Sequence, residues 1–431
     1  MAESIQNVDP RTAYAVWEIT LKCNLACNHC GSRAGDARVD ELTTAEAFDL
    51  VHQMAEVGIT EVTLIGGEAF LRKDWLDIAA EIVKYGMRVT MTTGGYGLSQ
   101  TVAHRMKEAG IHAVSVSVDG LEEVHDALRG KPGSWASAFR TMGHLREAGI
   151  RFATNTQINR KSAPLLPLIY EKLAEAGIYA WQLQLTVPMG NAADQAELLM
   201  QPYELLELYP VLGVLAQRAL DDGRRVQAGN NIGYYGPYER LFRGFGSDTQ
   251  TWGGCEAGIS ALGIEADGAI KGCPSLPTKA YTGGNIRNMR LADIVHHTPE
   301  VTFNDTLSTD HLWGFCKGCK FASLCRGGCS WTAHVFFDKR GNNPYCHYRS
   351  LVQASRGVRE RTALVVKASG QPFDNGVFSL TEEPSDAPLP ADPMAFSLDR
   401  VQWPQAWLEA EPGLLDRLRT ERDKAIAGVR A

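Results

Sequence analysis

The sequence predicts an α/β fold, a parallel sheet covered by helices, followed by a smaller cysteine-rich region. Two observations carry this. From Tyr14 to about Thr186, short β-branched runs alternate with amphipathic helical stretches. Several of those stretches end in a glycine just before the next strand, at Gly58, Gly86, Gly110, Gly149 and Gly177. This is the position where a helix C-terminus calls for a left-handed residue.

In chain order the strands are expected at Ala15–Thr20, Glu61–Gly66, Met87–Thr92, Ala113–Val118, Phe152–Ile158 and Tyr179–Leu185. The helices between them are expected over Thr44–Val57, Trp75–Tyr85, Gln100–Ala109, Trp135–Ala148 and Leu166–Ala176. Chemistry in such folds sits on loops leaving the C-terminal strand ends. Residues 190–250 read as helical and then loop-like, and 251–350 turn Cys-, Gly- and Trp-rich with little periodicity. The expected division is an N-terminal tail over 1–12, a β/α domain over 13–235, a metal-organised domain over 250–350 and a C-terminal extension over 351–431. In that extension TEEPSDAPLPADP has linker composition, and Pro412–Val429 reads as a terminal helix.

With 431 residues, 44% of them hydrophobic, the chain can bury a large core. A net charge of -7 supplies no basic field for nucleic acid or anionic lipid, so neither nucleic acid nor a membrane is an expected partner. The opening MAESIQNVDPRTAY is polar, and no apolar run approaches the ~20 residues of a membrane span, so the expected location is the cytoplasm. Ten cysteines in that compartment point to ligand or redox roles rather than disulfides.

Cys23, Cys27 and Cys30 follow the first strand with C-x3-C-x2-C spacing, which can wrap one compact metal centre. Three thiolates leave one iron of a 4Fe-4S cluster open to a small molecule. Zinc is the alternative, but its motifs usually supply four ligands in paired C-x2-C form. The other seven cysteines are Cys255, Cys273, Cys316, Cys319, Cys325, Cys329 and Cys346, of which Cys316 and Cys319 alone form a C-x2-C pair.

The first loop resembles that of the radical S-adenosylmethionine (SAM) superfamily, and the spacing Cys255, Gly268-x4-Cys273, Cys316-x2-Cys319-x5-Cys325-x3-Cys329, Cys346 resembles its SPASM-type extension. The resemblance implies a partial (β/α)6 TIM-type barrel with a small Cys-rich iron–sulfur SPASM domain. It places the amino and carboxylate groups of SAM on the open iron. Gly66, Gly67 and Glu68 match the Gly-Gly-Glu stretch that binds the SAM amino group. SVDGLEEVHDALRG matches an S-x-D-G-x4-H-D-x2-R pattern, implying Ser117 on SAM, Arg129 on its carboxylate, and Asp119 and His125 within the motif. His29 stands where a residue packs near the adenine, and Thr93 replaces the usual Asn of a T-N-G loop.

The resemblance further implies three 4Fe-4S clusters. Besides the catalytic one, Cys316, Cys319, Cys325 and Cys346 would complete one auxiliary cluster. Cys255, Cys273 and Cys329 would hold another, one ligand short, with its open iron available to water, Glu256, another side chain or substrate. SAM would be cleaved to a 5'-deoxyadenosyl radical by an electron from a reduced flavodoxin or ferredoxin. Auxiliary clusters favour net two-electron oxidation, and with every cysteine assigned to a cluster no thiol remains to return a hydrogen atom, which disfavours epimerisation. Pro274 stands where anaerobic sulfatase maturases carry a catalytic Asp.

The leading expectation is therefore crosslinking or desaturation of a ribosomally made peptide. Cys23 leaves no room upstream for a peptide-recognition domain, so a separate recognition protein or the C-terminal tail would serve. Dehydrogenation or decarboxylation of a small molecule, such as an amino sugar or tetrapyrrole, is the enzymatic alternative, and a noncatalytic electron carrier the alternative of another class. In Trp181–Ala192 the glutamines either face substrate or form the polar face of a buried strand. The aromatic run Trp331–Phe337 reads as packing, and no catalytic base is assigned.

Overall fold

A computed structural model describes residues 13–245, 250–389 and 391–429, so the expected 1–12 tail lies outside the described residues. The β/α alternation becomes β1 (Tyr14–Glu18), α1 (Thr44–Glu56), β2 (Glu61–Ile65), α2 (Trp75–Lys84), β3 (Arg88–Thr93), α3 (Gln100–Glu108) and β4 (Ile111–Ser117). It continues with α4 (Glu122–Arg129), α5 (Ser134–Glu147), β5 (Arg151–Ile158), α6 (Leu166–Ala176), β6 (Ala180–Leu185), α7 (Leu205–Asp221) and β7 (Arg225–Ala228). The six expected strands are all present and pair in parallel, in sequence order. The five helix-terminal glycines all take positive φ, between 69° and 86°.

Side-chain alternation explains why this sheet curves around a polar interior. Successive strand residues point to opposite faces. In β6, Trp181, Leu183 and Leu185 are buried, while Gln182 and Gln184 take the other face. In β2, Val62 and Leu64 go to the helices and Thr63 inward, where its hydroxyl meets Tyr14 at 2.8 Å and Thr90 at 2.6 Å. The apolar layer between strands and helices is the main core, with Trp17, Trp181 and Tyr170 fully enclosed.

The sheet extends beyond the six expected strands. β7 adds in parallel to β6. On the opposite edge β8 (Ala261–Ile264) pairs in parallel with β1, and β9 (Ala269–Lys271) and β10 (Thr282–Asn285) turn back antiparallel, giving ten strands in the order β10-β9-β8-β1-β2-β3-β4-β5-β6-β7. The cysteine-rich region thus begins as a continuation of the sheet, beside the strand that leads into Cys23. Its later cysteines lie on and between short helices, Gly314–Lys317, Ala322–Cys325, Ser330–Phe337 and His347–Ser355.

The linker reading of the acidic stretch is corrected. Thr381–Pro384 are the end of β12 (Val377–Pro384), which pairs antiparallel with β11 (Val358–Val366). Buried Arg349, just after Cys346, donates to Glu360 of β11 at 2.6 Å and to Asn342 at 2.7 Å, fastening the hairpin to the cysteine region. The expected terminal helix is present at Leu414–Gly428, with Leu414 and Leu418 buried. Among the described residues no helix is long and apolar enough to cross a membrane.

Candidate active site

The loop of Cys23, Cys27 and Cys30 is fixed by backbone hydrogen bonds from three directions. Ala26 and Asn28 donate to the carbonyls of Arg129 and Leu128 at the end of α4, at 3.1 and 2.8 Å. Asn191 donates from its backbone to Cys30 at 2.8 Å and from its amide to the Cys27 carbonyl at 2.9 Å. Gly190 sits at φ 58°, and a Cβ there would lie 2.3 Å from the Cys30 carbonyl oxygen. Arg33, after the loop, is held by Asp374 at 2.7 Å and Asp194 at 2.6 Å, so the β11–β12 connection reaches the site.

Burial pushes the Cys27 thiol up to about 12, against the pull of Arg129 and with Cys30 and Cys23 adding repulsion. Burial likewise pushes Cys23 up to about 11. Nη1 of Arg129 lies 3.8 Å from the Cys27 sulfur. Three thiols of one loop beside a buried guanidinium suit an anionic iron–sulfur group, whose thiolates need the compensating charge. Nδ1 of His29 and Nε of Arg129 are buried without a partner among the described residues, which suits a ligand with polar atoms on this side.

Asp119 organises the residues of the S-x-D-G motif. It accepts from Arg129 at 2.5 Å and from the Gln157 backbone at 2.8 Å, and lies 2.9 Å from His29. Burial would raise its pKa, but Arg129 and then His29 hold it well below the usual range. Its own backbone N–H donates to Nδ1 of His125 at 3.1 Å. Burial, with Arg129 nearby, lowers His125 to about 3, which keeps it neutral. Ser117 exchanges hydrogen bonds with Asn155 at 3.1 and 3.3 Å.

Glu68 is 2% exposed and accepts from the Thr93 hydroxyl and the Gly94 backbone, both at 2.5 Å. Burial pushes it up to about 7, opposed by those two donors and by Arg129. Thr93 therefore points at the carboxylate. Gly66 and Gly67 let the end of β2 approach the end of β1, where added Cβ atoms would stand 2.2 Å from the Thr20 oxygen and 2.4 Å from the Lys22 oxygen.

The other seven thiols divide into two groups that feel one another's charge. Cys329, raised by burial to about 12, is repelled by Cys255 and Cys273. Cys346, raised by burial, is repelled by Cys325, Cys316 and Cys319. The structure thus brings together the trio and the quartet expected from the sequence, around an aromatic core containing Tyr234, Trp252, Tyr281 and Phe303. Among the described residues no three His, Cys, Asp or Glu side chains converge on a site for one single metal ion. Glu256, considered as a ligand for the trio, is exposed and accepts instead from Ser260 at 2.9 Å.

Two adjoining cavities, of about 530 and 330 Å³, run along the barrel interior, the larger beside the strand beginnings at Glu61, Ala113 and Tyr179 and the smaller at the strand ends, and share Tyr14, Thr63, Thr92, Gln182, Gln184, Ser275 and Trp331. The larger reaches Cys273 and Cys329. The smaller reaches His29, Gly31 and Gly66 beside the first cysteine loop. Gln182 and Gln184 thus face the cavity. Trp331 packs against the core, as expected, and also lines the cavity, donating to the Met189 sulfur at 3.0 Å, whereas Val335 and Phe336 of the same run are fully buried. Sequence reasoning missed Asn155, Asn191, Asp374, Gln157 and Glu18, which carry no motif of their own and reach the site through pairing distant in sequence.

Two family matches cover parts of the chain: the radical SAM superfamily over residues 17–158, and the SPASM iron–sulfur cluster-binding domain over 255–320. An AdoMet-dependent heme synthase of Nitratidesulfovibrio vulgaris is 28% identical over 369 residues, 80% of this chain and 95% of that protein. Mycofactocin maturase MftC of Mycobacterium ulcerans is 29% identical over 324 residues, 73% of this chain and 81% of that protein. Native anSMEcpe with bound AdoMet and Kp18Cys peptide superposes with a TM-score of 0.61 at 16% identity, over 77% of this chain and 94% of that chain. The last likeness concerns the fold alone.

Proposed function

We propose that this chain, a radical SAM enzyme with a SPASM iron–sulfur domain, removes two hydrogens from a ribosomally made peptide and leaves a crosslink or a double bond. The observation that carries the reading is the hollow barrel interior. Its adjoining cavities touch the first cysteine loop at one end and Cys273 and Cys329 at the other. A substrate there lies between the radical source and a site for the second electron.

Cys23, Cys27 and Cys30 would hold the catalytic cluster, with Glu68 accepting the SAM ammonium and Ser117 and Arg129 binding SAM. Gly66 and Gly67 give the close backbone approach, and His29 flanks the adenine. Asp119 holds Arg129 and His29 in place. Two auxiliary clusters would sit on Cys316, Cys319, Cys325 and Cys346, and on Cys255, Cys273 and Cys329, the latter one protein thiolate short, with Cys273 and Cys329 lining the larger cavity. When bound, the reduced cofactors supply a 5'-deoxyadenosyl radical able to abstract hydrogen from unactivated carbon. The chain orients the target C–H bond and excludes water.

The peptide assignment draws on the amide side chains of the lining. Gln157, Gln182, Gln184, Gln227 and Asn230 offer paired donors and acceptors that match backbone amides. The similarity to mycofactocin maturase MftC supports it. A reduced flavodoxin or ferredoxin in the cytoplasm would supply the electron, and a separate recognition protein would deliver the peptide.

The similarity to an AdoMet-dependent heme synthase favours a second reading, oxidative decarboxylation of a tetrapyrrole. The ionisable carboxyl side chains lining the two cavities, Glu18 and Glu61, would face such a substrate's own carboxylates and repel them. The experiment is anaerobic incubation with reductant, SAM and either short precursor peptides or an iron porphyrin bearing propionates. A peptide lighter by two hydrogens supports the first reading. Loss of carbon dioxide from the porphyrin replaces it with the second.

A further inference from the structure

We propose that Glu18 is the proton acceptor of this reaction, taking the hydrogen that leaves the substrate as a proton after the first has left as an atom. The proposal rests on the two-electron reading above. Glu18 ends β1, is 2% exposed, and lines the smaller cavity together with His29, Gly66 and Gln157. Its Oε1 accepts from Nε of Arg38 at 3.1 Å and from the Ala266 backbone at 3.4 Å. Its Oε2 is buried without any partner among the described residues. A buried carboxylate oxygen left unpaired is costly, and in a reaction cavity it is an acceptor waiting for a donor.

The other acidic or basic groups of the two cavities are committed elsewhere. His29 is tied through Nε2 to Asp119, with its open Nδ1 assigned to the SAM side, the Tyr14 hydroxyl meets Thr63, and Glu61, farther down the barrel, pairs with Arg88 at 3.2 Å. The charged groups facing Glu18 are Arg38, Glu265 and Lys271. Arg38 bridges to Glu265 at 3.1 Å, and Lys271 pairs with Glu265 at 2.6 Å. With Glu18 ionised this group carries two charges of each sign. Burial pushes Glu18 up to about 7, Arg38 pulling it down and Glu265 pushing it up. A base that titrates near working pH both accepts and releases its proton.

The step balances. One C–H hydrogen atom goes to the 5'-deoxyadenosyl carbon and forms 5'-deoxyadenosine. The proton from the neighbouring N–H, O–H, S–H or C–H group goes to Oε2 of Glu18. The remaining electron goes to a one-electron acceptor of the iron–sulfur class, and the substrate closes its new bond.

The test compares the holoenzyme with Glu18→Gln, and uses Glu265→Gln as a control that alters the same ionic group outside the cavities. With substrate deuterated at the abstracted position, Glu18→Gln should still transfer deuterium to 5'-deoxyadenosine. Product formed per 5'-deoxyadenosine should fall about 100-fold, a typical loss for a missing general base. Glu265→Gln, which removes a charge that pushes Glu18 up, should keep that ratio above about pH 7, where Glu18 is ionised in both proteins. Infrared spectra of the holoenzyme without SAM or substrate should show carboxyl absorption titrating near 7 from Glu18 and Glu68, of which Glu18→Gln loses the Glu18 part and keeps the Glu68 part.

An unchanged product ratio in Glu18→Gln overturns the proposal. Should that variant not fold, the wild-type ratio of product to 5'-deoxyadenosine decides: a rise with pH up to about 7 supports the assignment, and a flat profile overturns it. A wild type that forms no product lighter by two hydrogens overturns both readings. That differs from wild type and Glu18→Gln forming it equally, which removes Glu18 alone.

Discussion

Asp119 gathers a guanidinium, an imidazole and a backbone amide around a carboxylate with no solvent exposure. Removing one partner of such a buried pair leaves the other charge uncompensated, so Asp119→Asn should lower unfolding free energy by about 3 kcal/mol, read from a urea midpoint. His125 gives a pH signature. Its folded-state pKa, near 3, lies below the ordinary 6.5, so the unfolded chain binds more protons between those values. Its contribution to stability is present above about 6.5 and is lost as pH falls. The stability advantage of wild type over His125→Gln should therefore shrink on acidification below that point. Thr93 donates to a Glu68 already pushed up by burial, and Thr93→Val removes one of two donors. A hydrogen bond to a charged group contributes about 1.5 kcal/mol or more, so SAM should bind this variant about tenfold more weakly in anaerobic calorimetry.

Among the elements, the short turn at Gly190 holds the first cysteine loop from outside the barrel. Gly190→Ala would force a Cβ to within 2.3 Å of the Cys30 oxygen at a left-handed backbone position. The expected outcome is selective loss of iron from the first site, seen as missing SAM cleavage while the auxiliary-cluster spectra persist. β2–β6 were legible because each is five or more residues long and follows a glycine-terminated helix, with β-branched residues in β2–β5, while β1 stood out as the apolar run before the first cysteine loop. The RVQA run of β7 and the ALGI run of β8 are too short for a period to emerge, and β8 earns strand status by pairing with β1, more than 240 positions earlier. The end of β12 looks like linker because its acidic residues lie on an edge hairpin, partnered by Arg359 and Arg361 across the strand. Cysteine and glycine spacing exposed the cluster loops. Glu18, Asn155 and Asp374 were invisible because a lone Glu, Asn or Asp acquires a role only from what the fold sets beside it.

For the whole molecule, the sheet itself connects the two chemical regions. β1 leads into Cys23 and pairs along its edge with β8, and β9, on the far side of β8, leads to Cys273, so both cysteine regions hang from one edge of the sheet. The C-terminal hairpin closes the arrangement through Asp374 on Arg33 and through Phe373, which lines the smaller cavity and lies 4.0 Å from the Lys271 ammonium. The proposed function requires that one substrate, held in the barrel interior, give a hydrogen atom at one end and an electron toward the other. The decisive measurement is mass spectrometry of the anaerobic reaction with reductant, SAM and short precursor peptides. The expected product is a peptide lighter by two hydrogens, with one 5'-deoxyadenosine formed for each. A peptide of unchanged mass alongside accumulating 5'-deoxyadenosine would contradict it.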